Sequence, residues 1–281
     1  MGLKELLLLR LAKRWISGVD LESAIVDAKS ANARGLGVIV NFLGEDITDP
    51  AVAEVHTGEY LKLQQRLSEE GIRGFASVKL TQLGMGADDS EATKKLKRIA
   101  ANAEKLSQAL WIDMEGSKFT EQTLEAYLSL HSSHKNVGIV LQAYMRRSES
   151  DLAKLLDAGA RVRLVKGAYR EDRAVVYQGR KEISESFSRL MGTLFEKGDR
   201  FAIATHDSAL VEEARRLAEP RHLDFEFEML KGIREDLKDE LVQSGYKVSE
   251  YLPYGDRWFA YSRRRLTEHP SNVLLLLRSL V

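Results

Sequence analysis

Short β-type runs and helical patterns alternate along this chain, and this alternation restricts the fold more than any other feature. Eight runs are apolar and β-branched without strict polar alternation, which is typical of strands buried on both faces. The runs cover residues 37–43, 74–80, 109–115, 137–143, 161–167, 201–206, 223–230 and 246–253. Helical patterns cover 20–34, 50–70, 90–106, 120–131, 148–157, 180–197, 208–218, 232–244 and 256–268.

The order of these elements predicts how the strands are arranged. A helix between two strands returns the chain to the edge where it started, so the strands must run parallel. Eight repeats favour a closed barrel over an open, doubly wound sheet, and 281 residues suit one barrel of about 250 residues. We therefore predict an α/β fold in which residues 20–281 form a single TIM-type (β/α)8 barrel and residues 1–19 form an N-terminal amphipathic helix.

The composition excludes several classes of function. The 42 basic and 42 acidic residues cancel, so no global charge drives binding to nucleic acid. The chain has no cysteine, which rules out disulfides, thiolate metal ligands, thiol nucleophiles and iron–sulfur clusters. No apolar run approaches the roughly 20 residues that span a bilayer. These features favour a cytoplasmic location.

The opening stretch LKELLLLRLAKRW is apolar but interrupted by charges, and it lacks the small-residue cleavage site of a signal peptide. We interpret it as an amphipathic helix that packs on the domain. The alternative is a contact with a membrane surface or a partner, which would make the protein peripherally membrane-associated. The sequence leaves the oligomeric state open.

Polar side chains stand at the ends of seven of the eight predicted strands. Barrel enzymes carry their chemistry at these C-terminal ends, so we expect the side chains to surround one cavity. The plainer interpretation is that polar residues begin wherever a strand leaves the core. The residues are Lys79, Asp113, Glu115, Gln142, Arg163, Lys166, Thr205, His206, Glu228 and Tyr251.

Lys79 and Asp113 end successive strands, and we predict that they pair across the barrel mouth. A lysine in such a pair keeps its charge and can face a substrate carboxylate, whereas a salt bridge without function is the alternative. Asp113 and Glu115 would share one strand face, which raises the question of a metal. His206 is the one histidine placed to complete such a site, so we predict no metal site.

Two loops after predicted strands suit a flat or anionic ligand. In RLVKGAYR, Gly167 and Ala168 let a ligand approach the backbone amides, while Lys166 is alternatively the Schiff-base lysine of a barrel aldolase. In ATHDSAL, residues 205–208 lead into a helix, which suits either a phosphate or a simple helix cap. The chain has no Walker loop and no complete GxGxxG sequence, so a nucleotide cofactor would bind outside a Rossmann fold.

The stretch YSRRRLTE places Tyr261, Arg264, Arg265 and Glu268 at offsets of 0, 3, 4 and 7 residues. At about 3.6 residues per turn, these four share one helix face. Two neighbouring arginines can present parallel donors to one carboxylate, and Glu268 can brace either of them. The pattern predicts a carboxylate-binding site.

Taken in order, these segments resemble the proline dehydrogenase family, the flavin-dependent barrel found alone or within proline utilisation A. The similarity runs from about Lys79 to Glu268, through SVKLTQLG, WIDMEGS, VLQAYMRR, RVRLVKGAY, ATHDS, FEFEML, YLPYG and YSRRRLTE. It implies oxidation of L-proline to Δ1-pyrroline-5-carboxylate, the first step of proline catabolism to glutamate. It also implies hydride transfer to FAD N5 and reoxidation by a quinone-type acceptor.

The resemblance further implies roles for individual residues. Asp113, Arg163 and Lys79 would form the catalytic set, with Arg163 beside FAD N5. The substrate would be bound by Lys79, Leu230, Tyr251, Tyr261, Arg264, Arg265 and Glu268. FAD would be bound by Met114, Gln142, Arg163, Val165, Lys166, Gly167, Ala168, Thr205, His206, Asp207, Ser208 and Glu228.

Glu228 departs from the family pattern, in which glutamine is usual. A carboxylate near flavin N1–C2=O would disfavour the reduced anion unless it is protonated or paired. Besides the aldolase, a non-catalytic barrel that binds proline or flavin as a sensor stays open. Hydroxyproline is an alternative substrate, for which Tyr251 leaves little room by analogy with the family.

Overall fold

The computed structural model describes residues 8–10, 12–219 and 223–268, with the side chains of the last helix described as far as Arg263. Within these residues, eight parallel strands pair in chain order and the last pairs with the first, which closes a barrel. The strands are β1 (Gly37–Phe42), β2 (Gly74–Lys79), β3 (Leu110–Asp113), β4 (Val137–Gln142), β5 (Arg161–Val165), β6 (Arg200–Ala204), β7 (Asp224–Leu230) and β8 (Val248–Tyr254). The predicted (β/α)8 barrel is confirmed.

In the described residues, one helix lies directly before the first strand and one follows each strand. They are α1 (Leu21–Ala33), α2 (Pro50–Glu69), α3 (Asp89–Lys105), α4 (Thr120–His131), α5 (Ser148–Asp157), α6 (Arg180–Lys197), α7 (Ser208–Ala218), α8 (Glu235–Gln243) and α9 (Trp258–Glu268). Their apolar faces and the outward side chains of the strands form the main hydrophobic core. The polar C-terminal ends of the strands are not part of this core and lie at the barrel mouth.

Six strands, β1 to β6, end one or two residues earlier than predicted, and in β3 this separates two residues that the sequence placed on one strand. β3 ends at Asp113, so Glu115 lies in the following loop. The Glu115 carboxylate instead accepts hydrogen bonds from Thr81, one from its amide at 3.0 Å and one from its hydroxyl. The expectation that Asp113 and Glu115 share a strand face is therefore wrong. After β5, Gly167 turns the chain with a φ of +106°, a conformation that residues with a Cβ disfavour.

Large side chains fill the barrel below its mouth. Ile39, Trp111 and Ala202 form a buried cluster on the strand faces that point away from the helices. The Trp111 ring also contacts two guanidinium groups, with the central carbon of Arg161 4.8 Å and that of Arg163 4.6 Å from the ring centroid. Stacking of this kind is favourable in a desolvated interior. Trp111 therefore supports both arginines from within the barrel.

The described part of the N-terminal segment packs against α9. The indole nitrogen of Trp15 donates a hydrogen bond to the hydroxyl of Ser262 at 2.9 Å. Residues 8–10 and 12 are helical, but residues 13–19 are not, so the prediction of a helix as far as residue 19 is wrong. Residues 1–7 and 11 lie outside the described residues. No helix in the described residues is long and apolar enough to cross a membrane. The buried cluster between the segment and the barrel comprises Leu9, Ala12, Ile16, Leu43, Trp258 and Tyr261.

Gly232, between β7 and α8, allows the N-terminal segment to approach closely. Its φ is +72°, and a Cβ there would overlap the backbone carbonyl oxygen of Arg14. Gly159 has a similar φ of +68°, but no described atom lies within 4 Å of its Cβ position. Gly159 is therefore a matched control for the left-handed conformation without the close approach.

We expect Gly159→Ala to lower the free energy of unfolding by about 1–2 kcal/mol, the cost of the left-handed conformation alone. Gly232→Ala should lower it by clearly more, because the N-terminal segment must also move. Chemical denaturation measures both changes. Equal losses in the two variants would contradict the steric role of Gly232.

Candidate active site

A cavity of about 600 Å3 opens at the C-terminal ends of the strands. Small-molecule sites typically have volumes of about 300–1,000 Å3. Residues from every strand, or from the loop after it, contribute to the wall. The sequence-derived residues that line it are Lys79, Asp113, Met114, Gln142, Arg163, Val165, Lys166, Gly167, Ala168, Thr205, His206, Asp207, Glu228, Leu230, Tyr251 and Tyr261.

The remaining site residues derived from the sequence are not among the described lining. Ser208 begins α7, where its hydroxyl accepts a hydrogen bond from Arg234 at 2.9 Å. Arg264, Arg265 and Glu268 belong to α9, but their side chains lie outside the described residues. Their roles stay predictions.

Lys79 does not pair with Asp113 within the described part of the chain. Its ammonium group forms an ion pair with Glu45 from the loop after β1 and lies 3.3 Å from the hydroxyl of Tyr169. The predicted Lys79–Asp113 pair is therefore wrong, because other donors engage both oxygens of Asp113. Burial disfavours the ammonium form of Lys79, but Tyr169, Glu45 and further carboxylates outweigh burial and raise its pKa.

Asp113, Arg163 and Glu228 form a buried row in the cavity. Asp113 Oδ1 accepts hydrogen bonds from the hydroxyl of Ser77 at 2.6 Å and from Nη1 of Arg163 at 2.9 Å. Its Oδ2 accepts one from the hydroxyl of Tyr251 at 2.7 Å. Arg163 Nε forms an ion pair with Glu228 Oε2, and the two side chains are only 4% and 3% exposed. One guanidinium therefore serves two carboxyl groups with little screening by water.

Burial dominates the protonation of this row. It raises the pKa of Glu228 to about 8, and Arg163 opposes this only in part. Burial and the Asp113 carboxylate also raise the pKa of Tyr251 well above its ordinary value, so the Tyr251 hydroxyl remains a donor. Arg163 Nη2 and Glu228 Oε1 are buried without a hydrogen-bond partner among the described residues. Because such groups are costly to bury, the pair suits a ligand whose polar atoms can hydrogen-bond to both.

A second charged pair lies in the wall at the start of α7. Lys166 Nζ is 2.7 Å from Asp207 Oδ2, and Asp207 Oδ1 accepts a hydrogen bond from the amide of Ala209 at 3.1 Å. Burial would raise the pKa of Asp207, but Lys166 and the backbone amides outweigh it and hold the pKa below its ordinary value. His206 Nε2 accepts a hydrogen bond from the amide of Leu230 at 2.9 Å, which orients the imidazole.

Several lining residues were missed by sequence reasoning. Asn41 could have been found, because it is the polar residue near the end of the first β-type run. Tyr144 packs so close to Gly167 that a Cβ on the glycine would overlap its ring, and no local pattern marks this contact. Tyr169 likewise contacts Lys79 although the two residues are far apart in the sequence. The missed residues are Asn41, Val140, Tyr144, Tyr169, Ala204, Met229 and Ile233.

Fold and site together define a (β/α)8-barrel enzyme with a polar cavity that contains buried, paired charges. Residues 24–275 match a protein-family model described as proline dehydrogenase, and the chain belongs to this family. It is accordingly an oxidoreductase. Among the described residues, no group of three or more His, Cys, Asp or Glu residues is placed to hold a metal ion.

Named relatives resemble the chain over most of its length. Proline dehydrogenase 1 of Bacillus subtilis strain 168 is 33% identical over 273 residues, which cover 96% of this chain and 90% of that protein. Proline dehydrogenase of Deinococcus radiodurans is 33% identical over 279 residues, which cover 96% of this chain and 90% of that protein.

Solved structures show the same barrel within longer chains. Proline utilization A from Bdellovibrio bacteriovorus, inactivated by N-propargylglycine, matches with a TM-score of 0.85 and 25% sequence identity. The match covers 92% of this chain and 32% of that one, so the chain spans about a third of the length of that protein.

Replacing Arg163 tests its ion pairs with Asp113 and Glu228. Arg163→Met leaves Asp113 and Glu228 buried without their shared cation, and breaking a buried ion pair costs about 3–5 kcal/mol. We expect a loss of this size in unfolding free energy at pH 9. The loss should be smaller at pH 5, because protonation can then neutralise the unpaired carboxyl groups.

The double variant Arg163→Met/Glu228→Gln is the matched control. It removes one of the two carboxyl groups that Arg163→Met leaves unpaired, so it should recover part of the loss in unfolding free energy at pH 9. Chemical denaturation at both pH values measures the effect. A loss that is the same at pH 5 and pH 9 would show that charge burial is not its cause.

Proposed function

We propose that the protein catalyses the FAD-dependent oxidation of L-proline to Δ1-pyrroline-5-carboxylate and passes the electrons to a quinone-type acceptor. This reaction is the first step of proline catabolism to glutamate. The observation that carries the proposal is the cavity, which brings Lys79, Arg163, Tyr251 and Tyr261 together at the strand ends of a barrel of the proline dehydrogenase family. The relatives that match over almost the whole chain bear the name proline dehydrogenase.

The cavity residues fit FAD. Arg163 Nη2 and Glu228 Oε1 have no hydrogen-bond partner among the described residues, which suits the polar edge of a heterocycle. Gly167 leaves no room for a side chain beside Tyr144, so the backbone there can approach a flat ring. Lys166 and the amides at the start of α7 suit the phosphates. When bound, FAD supplies the acceptor for the hydride that proline loses.

Lys79 and α9 would bind the carboxylate of the substrate. The ion pair with Glu45 supports this role, since it shows that a carboxylate fits beside the Lys79 ammonium. The raised pKa of Lys79 keeps that ammonium charged. Arg264 and Arg265 would add parallel donors from α9, and Glu268 would brace them.

The remaining cavity side chains would orient the ring of the substrate. Tyr251 is held in place by its hydrogen bond to Asp113, and Tyr261 faces the same cavity. The two aromatic rings, with Leu230 as an apolar wall, would hold the pyrrolidine ring in one pose. Such positioning supplies much of the rate when a hydride must move between two bound molecules.

The aldolase hypothesis receives no support. A Schiff-base lysine must react as a neutral amine, whereas Lys166 forms an ion pair with Asp207 at 2.7 Å and is 36% exposed. Membership of an oxidoreductase family argues in the same direction.

Absorbance spectroscopy of FAD-reconstituted protein tests the reaction and the cofactor together. L-Proline added without oxygen should bleach the flavin, because hydride transfer reduces the ring. A quinone added afterwards should restore the absorbance. Hydroxyproline should bleach more slowly, since Tyr251 limits the space beside the substrate ring.

Two results would contradict the proposal in different ways. Flavin that stays oxidised with proline would favour a non-catalytic binding barrel. Protein that retains no FAD would count against the cofactor itself.

Arg264→Met tests the carboxylate site. A hydrogen bond to a charged group contributes about 1.5–3 kcal/mol, so we expect the KM for L-proline to rise about 10- to 100-fold. Arg98→Met is the control, because Arg98 lies on the outer surface of α3 and is paired with Glu54. Its KM should match that of the unmodified enzyme in steady-state kinetics. An unchanged KM in Arg264→Met would place the carboxylate elsewhere.

A further inference from the structure

The barrel interior contains more carboxyl groups than guanidinium groups. Arg161 pairs with Glu226 at 2.9 Å, while Arg163 pairs with both Asp113 and Glu228. We call these five side chains the interior charge row. Within it, three carboxyl groups face two guanidinium groups. A buried row of this kind is stabilised when the surplus carboxyl group retains a proton.

Hydrogen bonding identifies the carboxyl group that can hold this proton. Asp113 accepts three hydrogen bonds on its two oxygens, from Ser77, Arg163 and Tyr251. This is the environment of a carboxylate, since each donor presents hydrogen to an acceptor oxygen. A proton on Asp113 would displace one of these donors.

Glu226 is satisfied in the same way. Its Oε1 accepts a hydrogen bond from Arg161 at 2.9 Å, and its Oε2 accepts one from the hydroxyl of Ser249 at 2.7 Å. Glu228 differs, because Arg163 occupies Oε2 while Oε1 has no hydrogen-bond partner among the described residues. Glu228 Oε1 is therefore the oxygen of the row that can carry a proton without losing a donor.

The surroundings of Glu228 favour the neutral form. Burial raises its pKa to about 8, Glu226 and Asp113 add to the effect, and Arg163 with Arg161 opposes it. On the neighbouring strand β8, the Tyr251 hydroxyl is directed to Asp113. In the loop after β6, His206 Nε2 accepts a hydrogen bond from the amide of Leu230. Neither contact supplies a donor to Glu228 Oε1.

We propose that Glu228 is kept as a neutral carboxylic acid and donates the proton on Oε1 to an acceptor of the ligand in the cavity. The identity of that acceptor, a ring carbonyl or nitrogen of the flavin, rests on the proposed function. The protonation itself does not. Ionisation of Glu228 would remove the donor and place a negative charge beside the ligand, so ligand binding should weaken as the pH rises.

Infrared spectroscopy of the full-length protein tests the protonation directly. The unmodified protein should show the carbonyl stretch of a protonated carboxylic acid at pH 6.5, and this band should disappear as the pH rises through about 8. Glu228→Gln should lack the band. Glu115→Gln is the matched control, because Glu115 is also buried with a raised pKa, but Thr81 donates to both of its oxygens.

The band should persist in Glu115→Gln. This result excludes Glu115 as the source of the band, even if Glu228→Gln does not fold. An unmodified protein without such a band at pH 6.5 would overturn the proposal. So would a band that Glu115→Gln removes.

Binding of FAD tests the hydrogen bond to the ligand. The dissociation constant of the unmodified protein should rise about tenfold between pH 6.5 and pH 9.5, the effect of one lost hydrogen bond of ordinary strength. That of Glu228→Gln should stay level, because an amide donates at every pH in this range. Equal pH dependence in both proteins would overturn the donation.

The two proposals fail in distinguishable ways. Protein that shows the band but binds no FAD would contradict the cofactor and leave the neutral Glu228 intact. Protein that binds FAD and is bleached by proline, without band or pH dependence, would retain the proposed function and remove this inference.

Discussion

The buried guanidinium of Arg163 is the interaction on which the rest of the cavity depends. It binds Asp113 on one side and Glu228 on the other, and through Asp113 it holds the hydroxyl of Tyr251. Trp111 stacks against it from within the barrel. Four strands, β3, β5, β7 and β8, are thus connected through one cation. Because Arg163 and Glu228 are almost fully buried, their ion pair is less weakened by water than a pair on the surface.

The rim of the cavity is built differently from this interior. Lys79 ends a strand, but its partners Glu45 and Tyr169 come from the loops after β1 and β5. On the side of α9, Trp15 connects the N-terminal segment to Ser262. Loops and α9 therefore border a cavity whose most buried charged groups, Asp113, Arg163 and Glu228, stand on strands. This division is common in enzymes, since rigid elements position the chemistry while loops control access to it.

The sequence predicted the elements better than the contacts between them. Lys79 and Asp113 were correctly placed at successive strand ends, but their pairing was wrong, because Glu45 and Arg163 reach them from elsewhere in the chain. Glu115 was assigned to a strand that ends before it. Asn41 lies near the end of β1 and lines the cavity, so it obeys the same strand-end rule as the residues that the sequence predicted.

The sequence by itself determined the closed barrel and most of the residue types at its mouth, because strand period, helix period and strand-end position are local properties of a chain. Only the tertiary structure decided which charges pair and which oxygens keep no partner. Those outcomes depend on distances across the barrel and on burial, which are collective. The raised pKa of Glu228 is the clearest case. Burial is its largest cause, and the burial of a side chain depends on the whole fold and not on the neighbouring sequence.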